Sequence, residues 1–487
     1  MKNNFLIAGL STLLLLSCND DDGVTRTGAQ GDDIVLKSHS VTPNFLKTTP
    51  EFSSVNIYSV LSSADQLDAS PEFVYGSMAD GAGLLYNQAT EDFTLINNIE
   101  ADYSIARIKF DKTFAPISGE YILNAEATAS TAQCSGSLIT PQEHGFGPLY
   151  LSGGEWGGSS KGVFATEVTK PSSTRTTPEI LTAMGQWSTE NAVVIGKDAY
   201  PNKTVAFIGD DHSDNNIPSG QLGMYVGNRG DLYSGNLYGL KVTAAGIDFE
   251  MDMEEGQSYT AEFVELNQRN IDLLDAEAKQ KGVMGFSRLE DIDWRRGDAS
   301  NQREIYFTVT GRKTNGLVGK GTAYGRIYKV TLNENDPTGP ATITCVLDGD
   351  KVGGKAWGFH SPDNVLVTEN YVYIQEDPNG YFDDAVREHY ARLYQYEIST
   401  GQLKTVLECD QRSAAAAGIG TENSVWEITG MIDVSDVVGI DGTFMVITQN
   451  HGWEPADGSA FTDPTANDVN NSSKEGSVLY VISGLER

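Results

Sequence analysis

One pattern recurs six times along this chain and constrains its fold more than any other feature. A polar or acidic entry leads into a short run rich in β-branched and aromatic residues. A second run ends in polar or acidic residues, and a third run follows. The entries are Asp80, Cys134, Glu190, Glu290, Asp363 and Glu427. The second runs are 93–100, 149–155, 205–211, 305–310, 372–377 and 444–449. The third runs resemble one another most, as in Gly325-Arg326-Ile327-Tyr328, Arg392-Leu393-Tyr394 and Ser477-Val478-Leu479-Tyr480. No single hairpin of this kind buries its apolar face alone. Stacking the units around an axis does so, which predicts an all-β chain, a six-bladed β-propeller over residues 46–487. Phe263, Leu266, Ile271 and Leu274 fall at helical spacing, which predicts a helical insertion at about 259–281.

The propeller geometry gathers residues that are distant in sequence. The innermost strand of a blade starts at one face, and the second strand returns to it. The entries therefore meet the second-run exits at one axial mouth: Glu100, Glu155, Asp210 with Asp211, Glu376 with Asp377, and Gln449. So many carboxylates in one place repel, unless cations enter or protons are retained. The donor set is mostly oxygen with one thiol. Oxygen clusters suit calcium or magnesium, whereas a thiolate recruits iron or zinc. Among the six histidines no HExxH occurs, and no serine sits in a GxSxG elbow.

Charge narrows the partners. The chain carries 67 Asp+Glu against 34 Lys+Arg, a formal net charge of −33. That excludes a phosphate-backbone binder and disfavours docking on anionic lipid, so no nucleic-acid partner is expected. The amino terminus reads as an export signal: Lys2, then an apolar run from Phe5 to Leu16 that is too short to span a bilayer. Leu15-Leu16-Ser17-Cys18 resembles a bacterial lipoprotein box, with Cys18 the acylated first residue. Asn19-Asp20-Asp21-Asp22 resembles the acidic surface-export tag of Bacteroidota lipoproteins. Residues 18–45 read as a tether. These features place the expected protein at the outer membrane, surface-exposed, held only by its lipid and monomeric. Cys134, Cys345 and Cys409 leave an odd thiol count; Cys345 and Cys409 are candidates for a disulfide or for burial.

The short motifs resemble those of the PhoX family of secreted, calcium-activated alkaline phosphatases. The resemblance spans about residues 70–485. It is carried by Asn98-Ile99-Glu100, by Cys134-Ser135-Gly136-Ser137 continuing to Gly154-Glu155-Trp156, and by Met184 to Glu190. Gly209-Asp210-Asp211, Arg288-Leu289-Glu290, Pro362-Asp363-Asn364, Glu427-Ile428-Thr429-Gly430 and Gln449-Asn450-His451-Gly452 complete it. Ile99 and Thr189 stand where the family motifs carry histidine. The resemblance implies a propeller holding iron and calcium at its mouth and hydrolysing phosphate monoesters of small molecules. It implies Cys134 as an iron ligand and Glu100, Glu155, Glu290 and Glu427 as iron or calcium ligands. Glu190, Asp210, Asp211, Asp363 and Glu376 complete the candidate metal set, and Arg288 and His451 are the candidate phosphate contacts. Two alternatives remain at this level: a non-catalytic calcium-binding surface propeller for adhesion or ligand capture, and a lactonase-type propeller with a single calcium. The runs 210–214 and 463–468 read as turns in preference to calcium loops.

Overall fold

The computed structural model describes residues 28–29, 34–378, 386–467 and 475–487. Cys18 and the export signal lie outside the described residues, as does Asp468. The chain is all-β apart from short helices. Strands form four separate sheets of three to five strands and one sheet of nine, in a propeller-like arrangement. Each pattern unit supplies an innermost strand: Ala79–Asn87, Thr131–Ile139, Thr189–Val194, Leu289–Trp294, Pro362–Val367 and Glu427–Asp433. Each of these touches the next, and the last touches the first, so they ring a central axis.

The nine-stranded sheet differs from the expectation of six separate sheets. Two runs of antiparallel strands join where Ser258–Leu266 pairs with Ala341–Asp348 over Ser258 to Ala261. That strand occupies the first third of the expected helical insertion. Only Ile271–Lys281 is helical. Ala261 and Phe263 alternate inward with polar residues between them, a period of two that wins over the helical spacing. The helix stops at Gly282, whose φ of 77° lets its N–H reach the carbonyl of Ala278.

The ring is closed by amino-terminal strands. Asn56–Ser62 pairs with the last strand, Glu475–Ser483, as the outer edge of its sheet. Leu46–Thr48 likewise adds to Gln402–Cys409. Residues 34–45, read as tether, lie against the sheets: Ile34 is buried, and His39 N–H donates to the Ser59 carbonyl at 2.9 Å. Apolar faces pack between neighbouring sheets. Under the nine-stranded sheet, Phe307 stacks on Tyr328 with ring centroids 5.3 Å apart, and Phe286 meets both edge-on. Cys345 and Cys409 are buried free thiols.

Candidate metal centre

Every innermost strand breaks its ladder, and in five of the six the break falls at the entry residue. Register shifts lie between Ala79 and Ala82, Gln133 and Gly136, Thr189 and Ala192, Leu289 and Ile292, Pro362 and Val365, and Thr429 and Ile432. In the first five, the two residues inside the break are Asp80-Gly81, Cys134-Ser135, Glu190-Asn191, Glu290-Asp291 and Asp363-Asn364. A bulge puts two residues opposite one and re-aims their side chains. In the sixth strand Glu427 instead pairs with Gln449 before the bulge.

The first residues of these bulges converge with the second-strand exits. Asp80, Cys134 and Glu190 bring ligand atoms within 4.8 Å of one another, and so do Glu100, Cys134 and Glu155. Cys134 belongs to both triads, with its Sγ 3.0 Å from Glu155 Oε2. Asp377, Glu427 and His451 form a third group. The three groups are linked: Asp80 and Glu100 act electrostatically on Glu427, and Asp363 acts on Glu190, Glu290 and Glu427.

Burial dominates the electrostatics. Glu100 is pushed up to about 7, against hydrogen bonds from the Trp156 indole N–H at 2.5 Å and the Gln449 amide at 3.1 Å. Burial and the neighbouring carboxylates hold Asp80, Glu155, Glu190, Glu290, Asp363 and Glu427 well above the ordinary carboxylate range. Burial, then Glu100, Glu155, Glu190 and Asp80, pushes the Cys134 thiol up as well. Such an array ionises fully only when cations enter it, so the donor set fits a metal cluster.

The cationic candidates are both at the mouth and both held. Arg288 Nε and Nη2 donate to the two Asp211 oxygens at 3.0 and 3.1 Å, and Nη2 lies 2.8 Å from Glu290 Oε1. Its backbone sits at φ 68°, in the left-handed region that non-glycine residues rarely adopt. His451 Nδ1 lies 2.8 Å from Glu475 Oε1, and its pKa is raised: burial opposes, but Glu475, Asp377 and Glu100 outweigh it.

Five metal candidates lie outside the three groups: Asp211 and Glu290 hold Arg288, Asp363 acts electrostatically on Glu190, Glu290 and Glu427, and Asp210 and Glu376 are taken up by backbone N–H groups. Asp210 accepts the Ser188 N–H at 3.0 Å, and burial pushes it well up. Glu376 is filled by the N–H groups of His360 and Arg392 and by the Tyr394 hydroxyl, at 2.8, 3.0 and 3.0 Å. Its neighbour Asp377 takes the place at the mouth. Sequence reasoning gave no role to Glu475, which opens an outer strand, or to the Trp156 indole, although Trp156 stands in a quoted motif. In the runs read as turns, Asp214 accepts the Asn216 N–H at 2.7 Å and Asp463 the Thr465 N–H at 2.8 Å.

Beneath the mouth a polar layer crosses the axis. The Thr429 hydroxyl lies between Asp80 Oδ1 and Asn364 Oδ1, Asn364 donates to Ser135 Oγ at 2.7 Å, and Asn191 donates to Asp291 Oδ1 at 2.5 Å. A cavity of about 800 Å³ lies on the other side, lined by the later residues of the innermost strands. None of the three metal-candidate groups lines it. This cavity and the chemistry are thus separate, and the donor atoms, not the volume, mark the functional site.

The family model "Alkaline phosphatase PhoX" matches residues 161–452. No curated protein matches. Among solved structures, the catalytic domain of a Coprinopsis cinerea GH62 alpha-L-arabinofuranosidase is 10% identical, with a TM-score of 0.31, covering 68% of this chain and 90% of its own. The AfRom2 CNH domain is 10% identical with a TM-score of 0.34, covering 88% and 98%. A GH43_1 enzyme from Xanthomonas citri is 8% identical with a TM-score of 0.31, covering 85% and 90%. Likenesses this remote carry no argument about function.

Proposed function

The chain belongs to the PhoX alkaline phosphatase family, and from that premise we propose that its acidic mouth hydrolyses phosphate monoesters with iron and calcium as cofactors. The observation that carries this reading is Cys134, whose thiol is shared by two carboxylate triads. A calcium-only site has no use for a soft thiolate. Cys134, Glu100 and Glu155 would hold iron; the oxygen donors Glu190, Asp363 and Glu427 would hold calcium. When bound, these cations offset the carboxylate charge and polarise the phosphoryl oxygens.

The protein's own groups then have separate tasks. Asp211 and Glu290 fix the direction of the Arg288 guanidinium, which binds the phosphoryl group. Glu475 holds His451, which would donate a proton to the leaving alcohol oxygen. We read the nine-stranded sheet as two blades fused at their outer edges, so that the ring of six innermost strands is a six-bladed propeller. Acylation at Cys18 would tether it to the outer membrane, with the mouth open to small phosphorylated molecules.

The test is elemental analysis of protein beginning after Cys18, with p-nitrophenyl phosphate turnover measured on the same sample in added calcium. Iron, calcium and turnover together are expected. Calcium without iron, and without turnover, would overturn the catalytic reading.

A further inference from the structure

An acidic mouth must admit an anionic substrate, and two of its cations are already neutralised. Arg288 lies between Asp211 and Glu290, and His451 is paired with Glu475. Lys161 differs. Its Nζ donates to the Ser188 hydroxyl at 3.0 Å and acts electrostatically on Asp210, but no ion pair within 4.0 Å is formed by it among the described residues. It nevertheless sits at the mouth. Ser188 N–H donates to Asp210, and the Ser188 carbonyl accepts from Asp211 N–H at 2.9 Å. Lys161 also follows directly on the loop that leaves the strand bearing Glu155 and Trp156.

That loop is pinned. Gly158 N–H donates to the Ser130 carbonyl at 2.8 Å, and Ser160 N–H to Thr131 Oγ1 at 3.0 Å. Ala129 and Ser130 stand at φ 52° and 56°, two consecutive non-glycine residues in the left-handed region. A Cβ at Gly158 would come within 1.9 Å of the Ala129 carbonyl oxygen, so the approach requires glycine there. Backbone held at this cost keeps the ammonium group beside the mouth and limits the entropy lost on binding.

We propose that Lys161 is a second phosphate-binding residue of the mouth, beside Arg288, contacting an anionic oxygen of the ester substrate and of the inorganic phosphate product. The inference rests on the phosphatase reading above. Lys161→Gln removes the charge and leaves the metal ligands untouched; Lys161→Arg restores a cation. On metal-loaded protein, KM for p-nitrophenyl phosphate and Kd for inorganic phosphate by calorimetry are expected to rise about tenfold in Lys161→Gln. Iron and calcium content are expected to stay the same, kcat to change little, and the difference to shrink at high ionic strength. Lys161→Arg recovers most of the affinity. A phosphate Kd unchanged in Lys161→Gln, or no recovery with arginine, would overturn the assignment. Calorimetry needs no turnover, so wild-type protein that binds phosphate without hydrolysing the ester would count against the phosphatase reading, and the lysine would still be judged by its Kd.

Discussion

Glu250 offers a quantitative test of the buried electrostatics, away from the metal candidates. It is fully buried, and its Oε1 accepts the Ser287 N–H at 2.9 Å and the Thr322 N–H at 3.0 Å. Burial pushes its pKa up from 4.5 to about 8, against the opposing charge of Arg326. The folded chain therefore keeps a proton that the unfolded chain releases near its ordinary value. Stability from this group is present at low pH and is lost as pH rises toward 8. At about 1.4 kcal/mol per pH unit, the loss between pH 5 and pH 8 is on the order of 3 kcal/mol. Glu250→Gln keeps the shape and the acceptor oxygen and removes the titration. Asp102, Asp291 and Glu100, each raised to about 7, titrate in both proteins and cancel in the difference. Urea unfolding from pH 5 to pH 8 is expected to show the variant gaining on the wild type by that amount, with most of the change above pH 5. Parallel stability profiles would refute the reasoning, because they would mean that Glu250 is ionised in the fold.

Other consequences follow from the mouth and the ring. Cys134→Ala is expected to abolish iron and turnover while circular dichroism stays that of the wild type; unchanged iron would sink the ligand assignment. Trp156→Phe keeps the aromatic body and removes the N–H held by Glu100, so kcat should fall about tenfold with the fold intact, read by steady-state kinetics. Gly153→Val would drive a Cβ to within 2.1 Å of the Glu190 carbonyl oxygen; destabilisation by about 1–3 kcal/mol or more is expected in thermal unfolding. Added calcium should raise Tm, and chelation should lower it most above pH 7, where Glu100, raised to about 7, ionises; a Tm indifferent to calcium would argue against cations in the mouth.

Much of the mouth was legible because the repeat is legible. Asp80, Cys134, Glu190, Glu290 and Asp363 each stand at the same step of a repeated unit, and the fold turns that step into a bulge on the axis. A sharper signal was present: Asp, Cys or Glu followed by a small or polar residue, Gly81, Ser135, Asn191, Asp291 or Asn364, just where alternation fails. Glu376 was misplaced by one residue, because successive strand side chains point to opposite faces. Asp377 faces the mouth, and Glu376 faces the backbone of its own sheet. Glu475, Trp156 and Lys161 owe their positions to neighbours far off in sequence, Glu475 through His451, Trp156 through Glu100 and Lys161 through Ser188, and local pattern carries no trace of such contacts. The strand at Ser258–Leu266 was hidden because Phe263 and Leu266 also fit helical spacing; it pairs with Asn236–Val242 before it and, across an outer edge, with a strand some 80 residues later.

That outer-edge pairing divides the molecule mechanically. Between most neighbouring sheets the seam is packed side chains, which can slide by small amounts. Between Ser258–Leu266 and Ala341–Asp348 the seam is a hydrogen-bonded ladder, which shears only by breaking bonds. Glu190, Asp210, Asp211, Arg288 and Glu290 all ride on strands of that one welded sheet or on their ends. Cys134, Glu100, Glu155, Glu427 and His451 ride on the separately mounted sheets. Any widening or tightening of the aperture is therefore a movement of the Cys134 side against a stationary anvil, with the Asp211–Arg288–Glu290 clamp at its edge.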